Sequence, residues 1–408
     1  MIQLKPYKPV SEKCKCGSNF IFEDILWQGL HVCEKSVCSG CGMTRILSLP
    51  VNQSLLEQYV YYPGEKRLFN MNDEEVKQNW FSSKLTAITE PDDSPVKVNI
   101  EVFEKHDEVV ILNTLDYIYG HSLLFLLNLQ RLIKSPGSPG IVVIIQPMMR
   151  WLVPEEGVAE IWTVDLGFRD FNRYHSVLSG RINEEFKRFG RIWLSSGHPL
   201  PTRENIKIEL FTGIKPFDFN IQQTPRITFI WREDPDRLWI RNIFLLKVFK
   251  KLHISAILFP FHLLRVSRYF RMIRRKLGSR YRFTAAGLGN SGSLPSFVDD
   301  RRTRSFDEDT ERALCTIYSE SILVIGVHGS SMILPSAHAG MAVSLMPSRR
   351  WGNFAEDILY TEEDVRLSAF QRRIIPLNLN LCDVRDITAD MIIGRDYFLK
   401  KFNHSEDL

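Results

Sequence analysis

Apolar and polar positions keep two different rhythms along the chain, and the changes of rhythm mark its elements. Residues 96–103 and 108–112 alternate and are rich in β-branched side chains, which predicts two strands. Residues 120–133 carry Leu123, Leu124, Leu126, Leu127, Leu129 and Leu132, apolar on most sides of a helix, and Pro136-Gly137 and Pro139-Gly140 end it. Residues 141–146 (IVVIIQ) form a continuous apolar run, the signature of a strand buried on both faces of a parallel sheet. A further short strand follows at 159–164. Strand, helix and strand at this spacing predict a βαβ unit, with ligands at the carboxyl ends of the strands.

Pro225 opens a second unit of the same kind. Strands are expected at 226–231 (RITFIW), 282–288, 322–327 (ILVIGV) and 342–346. An amphipathic helix is expected at 307–319, capped by Asp307, with Ala313, Leu314, Ile317 and Tyr318 inward. Another helix should start after Ser331 with Met332, Ile333 and Leu334. Ahead of both units, residues 19–32 have apolar pairs suited to a hairpin, and 72–95 are polar and irregular. The expected division is a small module at 1–70, a linker at 71–95, and α/β domains at 96–222 and 223–408.

The first module is defined by its cysteines. Five of seven fall between positions 14 and 41, and clustered thiols in a reducing compartment more often bind metal than pair as disulfides. Cys14-Lys-Cys16-Gly17 and Cys38-Ser-Gly-Cys41-Gly42 are two short turns, each able to aim two thiolates at one ion. Four thiolates around a tetrahedral Zn²⁺ would staple a segment too small to fold alone, and such a closed site is structural. Cys14, Cys16, Cys38 and Cys41 are the expected ligands. Cys33 stands as a possible replacement for one of them, and reduced packing cysteines are the competing reading.

Composition adds little until it is resolved locally. The chain has 408 residues, 44% apolar and 25% charged, which excludes a disordered, collagen-like or coiled-coil architecture. The start, MIQLKPYKPV, lacks the apolar core of a secretory signal. The apolar stretch 252–264, free of charge, is too short to span a bilayer and is interrupted by His253, Pro260 and His262. A cytoplasmic protein is expected, with scope for a peripheral contact at the membrane face. The net charge is only +4, yet residues 241–283 hold 12 Lys or Arg and no Asp or Glu. Removing those twelve charges would take the chain from +4 to −8. Basic residues interleaved with Phe244, Phe249, Phe259, Phe261, Tyr269 and Phe270 suit an anionic lipid surface or a lipid-linked acceptor. A solvated basic face and a single-stranded nucleic-acid site are the alternatives, the last disfavoured by the low overall charge.

Four places could carry chemistry. Asp116-Tyr-Ile-Tyr119-Gly120-His121-Ser122 lies between a strand and the leucine-rich helix. Ser122 or His121 could cap the helix there, or His121 could act as a base on a substrate hydroxyl, with Asp116 behind it. Arg232 follows a buried strand and would suit a phosphate, or sits in a solvated loop with local ion pairs. Asp234-Pro-Asp236 has the D-x-D form that can hold a metal against a nucleotide diphosphate. His328-Gly329-Ser330-Ser331 ends another buried strand, and a helix start with two hydroxyls suits a diphosphate. The glycine-rich 287–292 lacks the spacing of a dinucleotide loop.

Two resemblances bear on these motifs. Cys-Gly followed by Leu55, Leu56, Tyr59, Tyr61 and Tyr62 resembles the zinc ribbon that precedes some bacterial sugar methyltransferases, although no methyl-donor glycine loop follows. Val-Ile-Gly-Val-His328-Gly329-Ser330-Ser331-Met, then Gly340-Met-Ala-Val-Ser-Leu-Met-Pro347, resembles the nucleotide-sugar site of inverting GT-B glycosyltransferases, family 61 in particular. Tyr119-Gly120-His121-Ser-Leu-Leu is similar to a histidine helix start of that family. The family's second loop glycine is Ser331 here, and its aspartate a few residues after the histidine is absent, so donor and acceptor identity do not carry over.

The resemblance implies two facing Rossmann-like domains, a GT-B fold, behind a zinc-ribbon-like module. It implies inverting transfer of a sugar from a nucleotide-sugar donor to a glycan or lipid-linked acceptor, in cell-surface polysaccharide synthesis. His121 with Asp116 would be the base. Arg232, His328, Gly329, Ser330 and Ser331 would hold the diphosphate, and Glu356 and Asp357 would reach the ribose or sugar hydroxyls. No catalytic metal is expected. A metal-dependent transferase using Asp234 and Asp236, and a non-enzymatic protein docking through 241–283, are the other classes.

Overall fold

The structure is a computed structural model that describes residues 1–72, 74–77, 82–133, 139–197, 206–220, 224–354, 359 and 365–403. The chain divides into two compact units, Met1–Thr202 and Arg203–Leu408.

The first unit runs β1 (Ile2–Lys5), β2 (Phe20–Gln28), β3 (His31–Cys38), β4 (Thr44–Ser48), β5 (Tyr59–Tyr62), β6 (Arg67–Asn70), α1 (Ser82–Ala87), β7 (Val98–Val102), β8 (Glu108–Asn113), α2 (Tyr119–Leu126), α3 (Leu129–Ile133), β9 (Gly140–Ile145), β10 (Glu160–Val164), α4 (Ser176–Glu185) and β11 (Arg191–Leu194). Strands β2 to β6 form a five-stranded antiparallel sheet in sequence order. The other sheet has the order β1-β11-β8-β9-β10-β7. Its inner strands are parallel, and β1 and β7 close its edges antiparallel. Every residue of β9 is buried, as the unbroken apolar run predicts. Each fully buried Ile or Val of that kind stabilises by about 1.5–3 kcal/mol.

Three expectations change. The leucine-rich helix is not continuous. Nδ2 of Asn128 donates to the carbonyls of Leu124 and Phe125 at 3.1 and 3.0 Å, and this side-chain competition separates α2 from α3. The stretch expected as a linker carries α1, whose Leu85 packs with Tyr59, Tyr61 and Leu68. The antiparallel sheet is also not free of the α/β sheet. Trp27 and Val32 share a core with Val109, Ile111 and Ile144. Between them the turn at Gly29 (φ 55°) docks on the end of β8, where Asn113 donates to its carbonyl at 2.8 Å. A Cβ at Gly29 would stand 3.0 Å from the Leu115 carbonyl oxygen, so glycine is required on both counts.

The second unit runs α5 (Glu209–Thr212), β12 (Arg226–Arg232), α6 (Ile243–Lys251), α7 (Phe259–Leu277), β13 (Arg282–Leu288), β14 (Val298–Thr303), α8 (Glu308–Ser319), β15 (Ser321–Val327), α9 (Ile333–His338), β16 (Met341–Met346), α10 (Val365–Gln371), β17 (Arg372–Pro376) and α11 (Leu381–Asn403). All six strands are parallel, in the order β14-β13-β12-β15-β16-β17. Counted from β12 this is the doubly wound order 3-2-1-4-5-6, whose switch point falls between β12 and β15. Asp307 caps α8 by accepting from the Thr310 amide.

The basic segment 241–283 is not one surface. It forms α6, a 3-10 turn at Ser255–Leu258, and α7. Val266, Tyr269, Phe270, Ile273 and Leu277 on one face of α7 are core, packed with Ile227 and Phe229 of β12. Tyr269 and Phe270, two of the six aromatics interleaved in the sequence, are therefore ordinary helix-on-sheet burial. No helix among the described residues is long and apolar enough to cross a membrane.

Candidate functional site

The cysteine turns meet at one end of the antiparallel sheet. Cys38 closes β3, and its amide and carbonyl bond to Met43 and Gly42. Cys14 faces it across a tight turn in which Gly17 donates to the Cys14 carbonyl at 2.8 Å. Gly17 and Gly42 sit at φ 88° and 72°, which only glycine adopts cheaply. The four Sγ atoms of Cys14, Cys16, Cys38 and Cys41 lie within 4.8 Å of one another. Cys16 and Cys38 are 3.3 Å apart, Cys14 and Cys41 3.6 Å. Four thiolates at ~2.3 Å from a tetrahedral ion would be roughly 3.8 Å apart, so the cluster fits a metal ion with little adjustment. A backbone hydrogen bond at Ser18, then the side chains of Cys38 and Ser18, pull the Cys16 thiol down to about 6. Cys33 is not part of the cluster: it lies fully buried beside Leu26 and Ile46, and burial pushes its thiol up to about 12. The replacement of a ligand by Cys33 is excluded by that packing.

The second place is the end of β8. Asp116 is buried, and its Oδ1 accepts from the Ile118 amide at 2.9 Å, which sets the entry into α2. Its Oδ2 lies 3.3 Å from Nδ1 of His121. The main-chain oxygen of Asp116 is held in turn by Gln146 from the end of β9. His121 thus sits inside the first turn of α2 rather than at its cap, with 32% of its side chain exposed against 5% for Asp116. A buried carboxylate behind a half-open imidazole is the arrangement that orients a histidine for proton exchange.

Two neighbours of this pair carry no sequence signal. Lys84 of α1 is buried, donates to the Phe171 carbonyl at 2.9 Å and to Asn172 at 3.0 Å, and lies 3.8 Å from the centre of the Tyr117 ring. Burial pulls its ammonium down to about 8 against the opposing pull of Asp116. His31 of β3 is also buried, and burial drives it to about 3, so it stays neutral. Only a tertiary fold brings these groups near Asp116.

The third place is the switch point of the second unit. Arg232 ends β12 and His328 follows β15. Arg232 is paired with Asp234 at 2.6 Å, where both are partly exposed. Such a pair contributes only about 0–1 kcal/mol, so exchange of Asp234 for a phosphate costs little. The His328 imidazole is fully buried, and the residue offers the site its carbonyl, which accepts from Arg237 and, at 3.4 Å, from Arg350. Gly329 stands at φ 144°, and a Cβ there would fall inside the Arg237 guanidinium. Ser330 and Ser331 open a 3-10 turn ahead of the six-residue α9. So short a helix has little dipole to offer, and the positive character of the site comes from arginines instead. Arg237 and Arg349 are the residues the sequence did not reveal.

Asp234 and Asp236 do not converge on an ion. Asp234 is taken by Arg232, and Asp236 by Lys250 at 2.7 Å and by Arg349. Burial pushes the Asp236 carboxyl up, but Lys250 and Arg349 outweigh it and hold it below the usual carboxylate range. The glycine-rich 287–292 turn is tied by Glu233, which accepts from the Ser291 amide at 2.6 Å and its hydroxyl at 3.0 Å, so its glycines serve packing. Glu356 and Asp357 lie outside the described residues.

Neither the models of known protein families nor the curated protein sequences give a match to the chain. Among solved structures it is similar to the pneumococcal O-GlcNAc transferase GtfA, crystallised with UDP and GlcNAc, at 9% identity and a TM-score of 0.27 over 96% of this chain and 75% of that one. A likeness that faint carries nothing over.

Proposed function

We propose that the protein is a glycosyltransferase that moves a sugar from a nucleotide-sugar donor to a glycan or lipid-linked acceptor with inversion, as a step in cell-surface polysaccharide synthesis. The observation that carries the reading is the position of Arg232, Arg237 and the His328–Ser331 turn at the carboxyl ends of β12 and β15, the switch point of a doubly wound sheet. A departing nucleoside diphosphate needs cationic groups fixed where its charge develops. Arg232, Arg237 and Arg350 stand there with the Ser330 and Ser331 hydroxyls, and Gly329 lets the Arg237 guanidinium close directly against the turn.

The base of the proposed reaction is assigned to the Asp116–His121 pair of the first unit. Asp116 holds Nδ1 of His121, which assigns proton exchange to Nε2. The acceptor oxygen forms its bond to the anomeric carbon as the bond from that carbon to the diphosphate oxygen breaks. The acceptor proton passes to Nε2, and the electron pair leaves with the diphosphate. Cys14, Cys16, Cys38 and Cys41 would hold a Zn²⁺ that is structural, since four thiolates leave no open position.

Calorimetry with UDP, GDP and dTDP tests the reading. One of them should bind, Arg232→Ala should weaken it at least about tenfold, and His121→Ala should leave it unchanged while abolishing most turnover. If no nucleoside diphosphate binds, the donor site is lost and a docking role through the basic segment takes its place.

A further inference from the structure

The burial of one face of α7 leaves a question about the other. Phe244, Leu252, Ile254, Ile257, Phe261 and Leu264 are each 42–71% exposed, and they fall within one run formed by α6, the 255–258 turn and the first half of α7. The helical spacing is ordered. Phe244, Lys247 and Lys251 share one face of α6, and Phe261, Leu264 and Arg268 share one face of α7. On α6 the apolar residue leads and two basic residues follow one and two turns behind, and on α7 two apolar residues lead and Arg268 follows. Arg241, Lys247, Lys251 and Arg268 are exposed and have no ion pair among the described residues, and no acidic residue occurs between 241 and 283.

We propose that this face docks on an anionic lipid surface, with the apolar residues at the acyl boundary and the basic residues at the level of the phosphates. Apolar tips backed by cations match that layered chemistry. A second copy of the chain would bring two acid-free basic faces together, which like-charge repulsion opposes. A single strand of nucleic acid would need rings to stack on, and four of the six exposed tips are aliphatic. The surface is independent of the donor site, so a chain that binds no nucleotide still tests it.

The full chain is sedimented with phosphatidylcholine vesicles, with and without about one-third phosphatidylglycerol. Wild type should partition onto the anionic vesicles at least about tenfold better at low salt, and lose this as salt rises. Ile257→Ser with Phe261→Ser should weaken partition at least about tenfold. Lys247→Glu with Lys251→Glu should bring it to the level of neutral vesicles. Both pairs are exposed, so both should melt as wild type does. Equal binding to the two vesicle types overturns the proposal, as does anionic binding that survives both pairs. Oligonucleotide binding without vesicle binding overturns it too, and so does a dimer that the Ile257→Ser, Phe261→Ser pair dissolves in a chain that ignores vesicles.

Discussion

Gly329→Ala tests the construction of the switch-point turn. Two costs follow from the geometry. At φ 144° and ψ −178° only glycine is at ease, and an L-residue there costs about 1–3 kcal/mol. The new Cβ would also occupy the place of the Arg237 guanidinium. Arginine is flexible and would swing away, giving up its bond to the His328 carbonyl, a charge-assisted bond contributing about 1.5–3 kcal/mol. The sum is about 2.5–6 kcal/mol, and at about 2–4 °C per kcal/mol for a domain of this size the melting temperature of the second unit should fall clearly. A glycine kept only for ligand approach would lower affinity and leave melting alone; the packing here predicts loss of both. The decisive measurement is a double-mutant cycle with Arg237→Ala, read by chemical denaturation. On that background Gly329→Ala should cost only the backbone strain, so the coupling should be about 1.5 kcal/mol or more. A cost below about 0.5 kcal/mol in wild type, or the same cost on both backgrounds, refutes the reasoning.

Three further outcomes are expected. Elemental analysis of protein purified without added metal should find one Zn²⁺ per chain. Cys38→Ser with Cys41→Ser should release it and speed amide exchange around the two cysteine turns, Cys14 to Gly17 and Cys38 to Gly42, while the Trp27–Val32 end stays protected by its shared core; metal near zero in a folded preparation ends the assignment. His121→Ala should lower turnover about 100-fold or more with nucleotide affinity intact, and normal turnover would remove His121 from the chemistry. Burial, then Arg302, lowers His262 to about 3. The unfolded chain therefore binds this proton below about pH 6.5 while the folded chain does not. Stability should fall as pH drops from there toward 3, by up to about 1.4 kcal/mol per pH unit from this group. His262→Gln should flatten that slope, and an unchanged slope would mean the imidazole reaches solvent.

What could be read from the sequence follows from what each element needs. The runs at 141–146, 226–231 and 322–327 are legible because continuous apolar residues of strand length are tolerated where both faces are covered. β14 (VDDRRT) is not, because an edge strand can alternate charges and shows no apolar run. The Asp116–His121 pair is legible because its members are five residues apart at one strand-to-helix turn. Lys84 hides in a stretch whose composition resembles a linker, and its burial depends on Phe171 and Asn172 far along the chain. Arg237 and Arg349 escape for the same reason. The carbonyl and the carboxylate they hold belong to residues about 90 and 110 positions away. The basic segment shows the opposite failure, since its composition is plain but the division of its aromatics between core and surface needs the helix register.

The pairing of β1 with β11 sets a schedule for synthesis. Ile2 lies opposite Leu194, so β1 finds its partner only after nearly the whole unit has left the ribosome. At about 5–20 residues per second, that is a wait of roughly 10–40 seconds. The cysteine turns, Cys14 to Cys41, emerge early and can close within their own sheet in the meantime. Until β11 arrives, the free edge of β8 is open to pairing with another nascent chain. The antiparallel sheet docked at Gly29 shields only the end of that strand. Slow elongation across 114–190 would prolong the exposure, and rapid translation of that stretch should raise the yield of soluble protein.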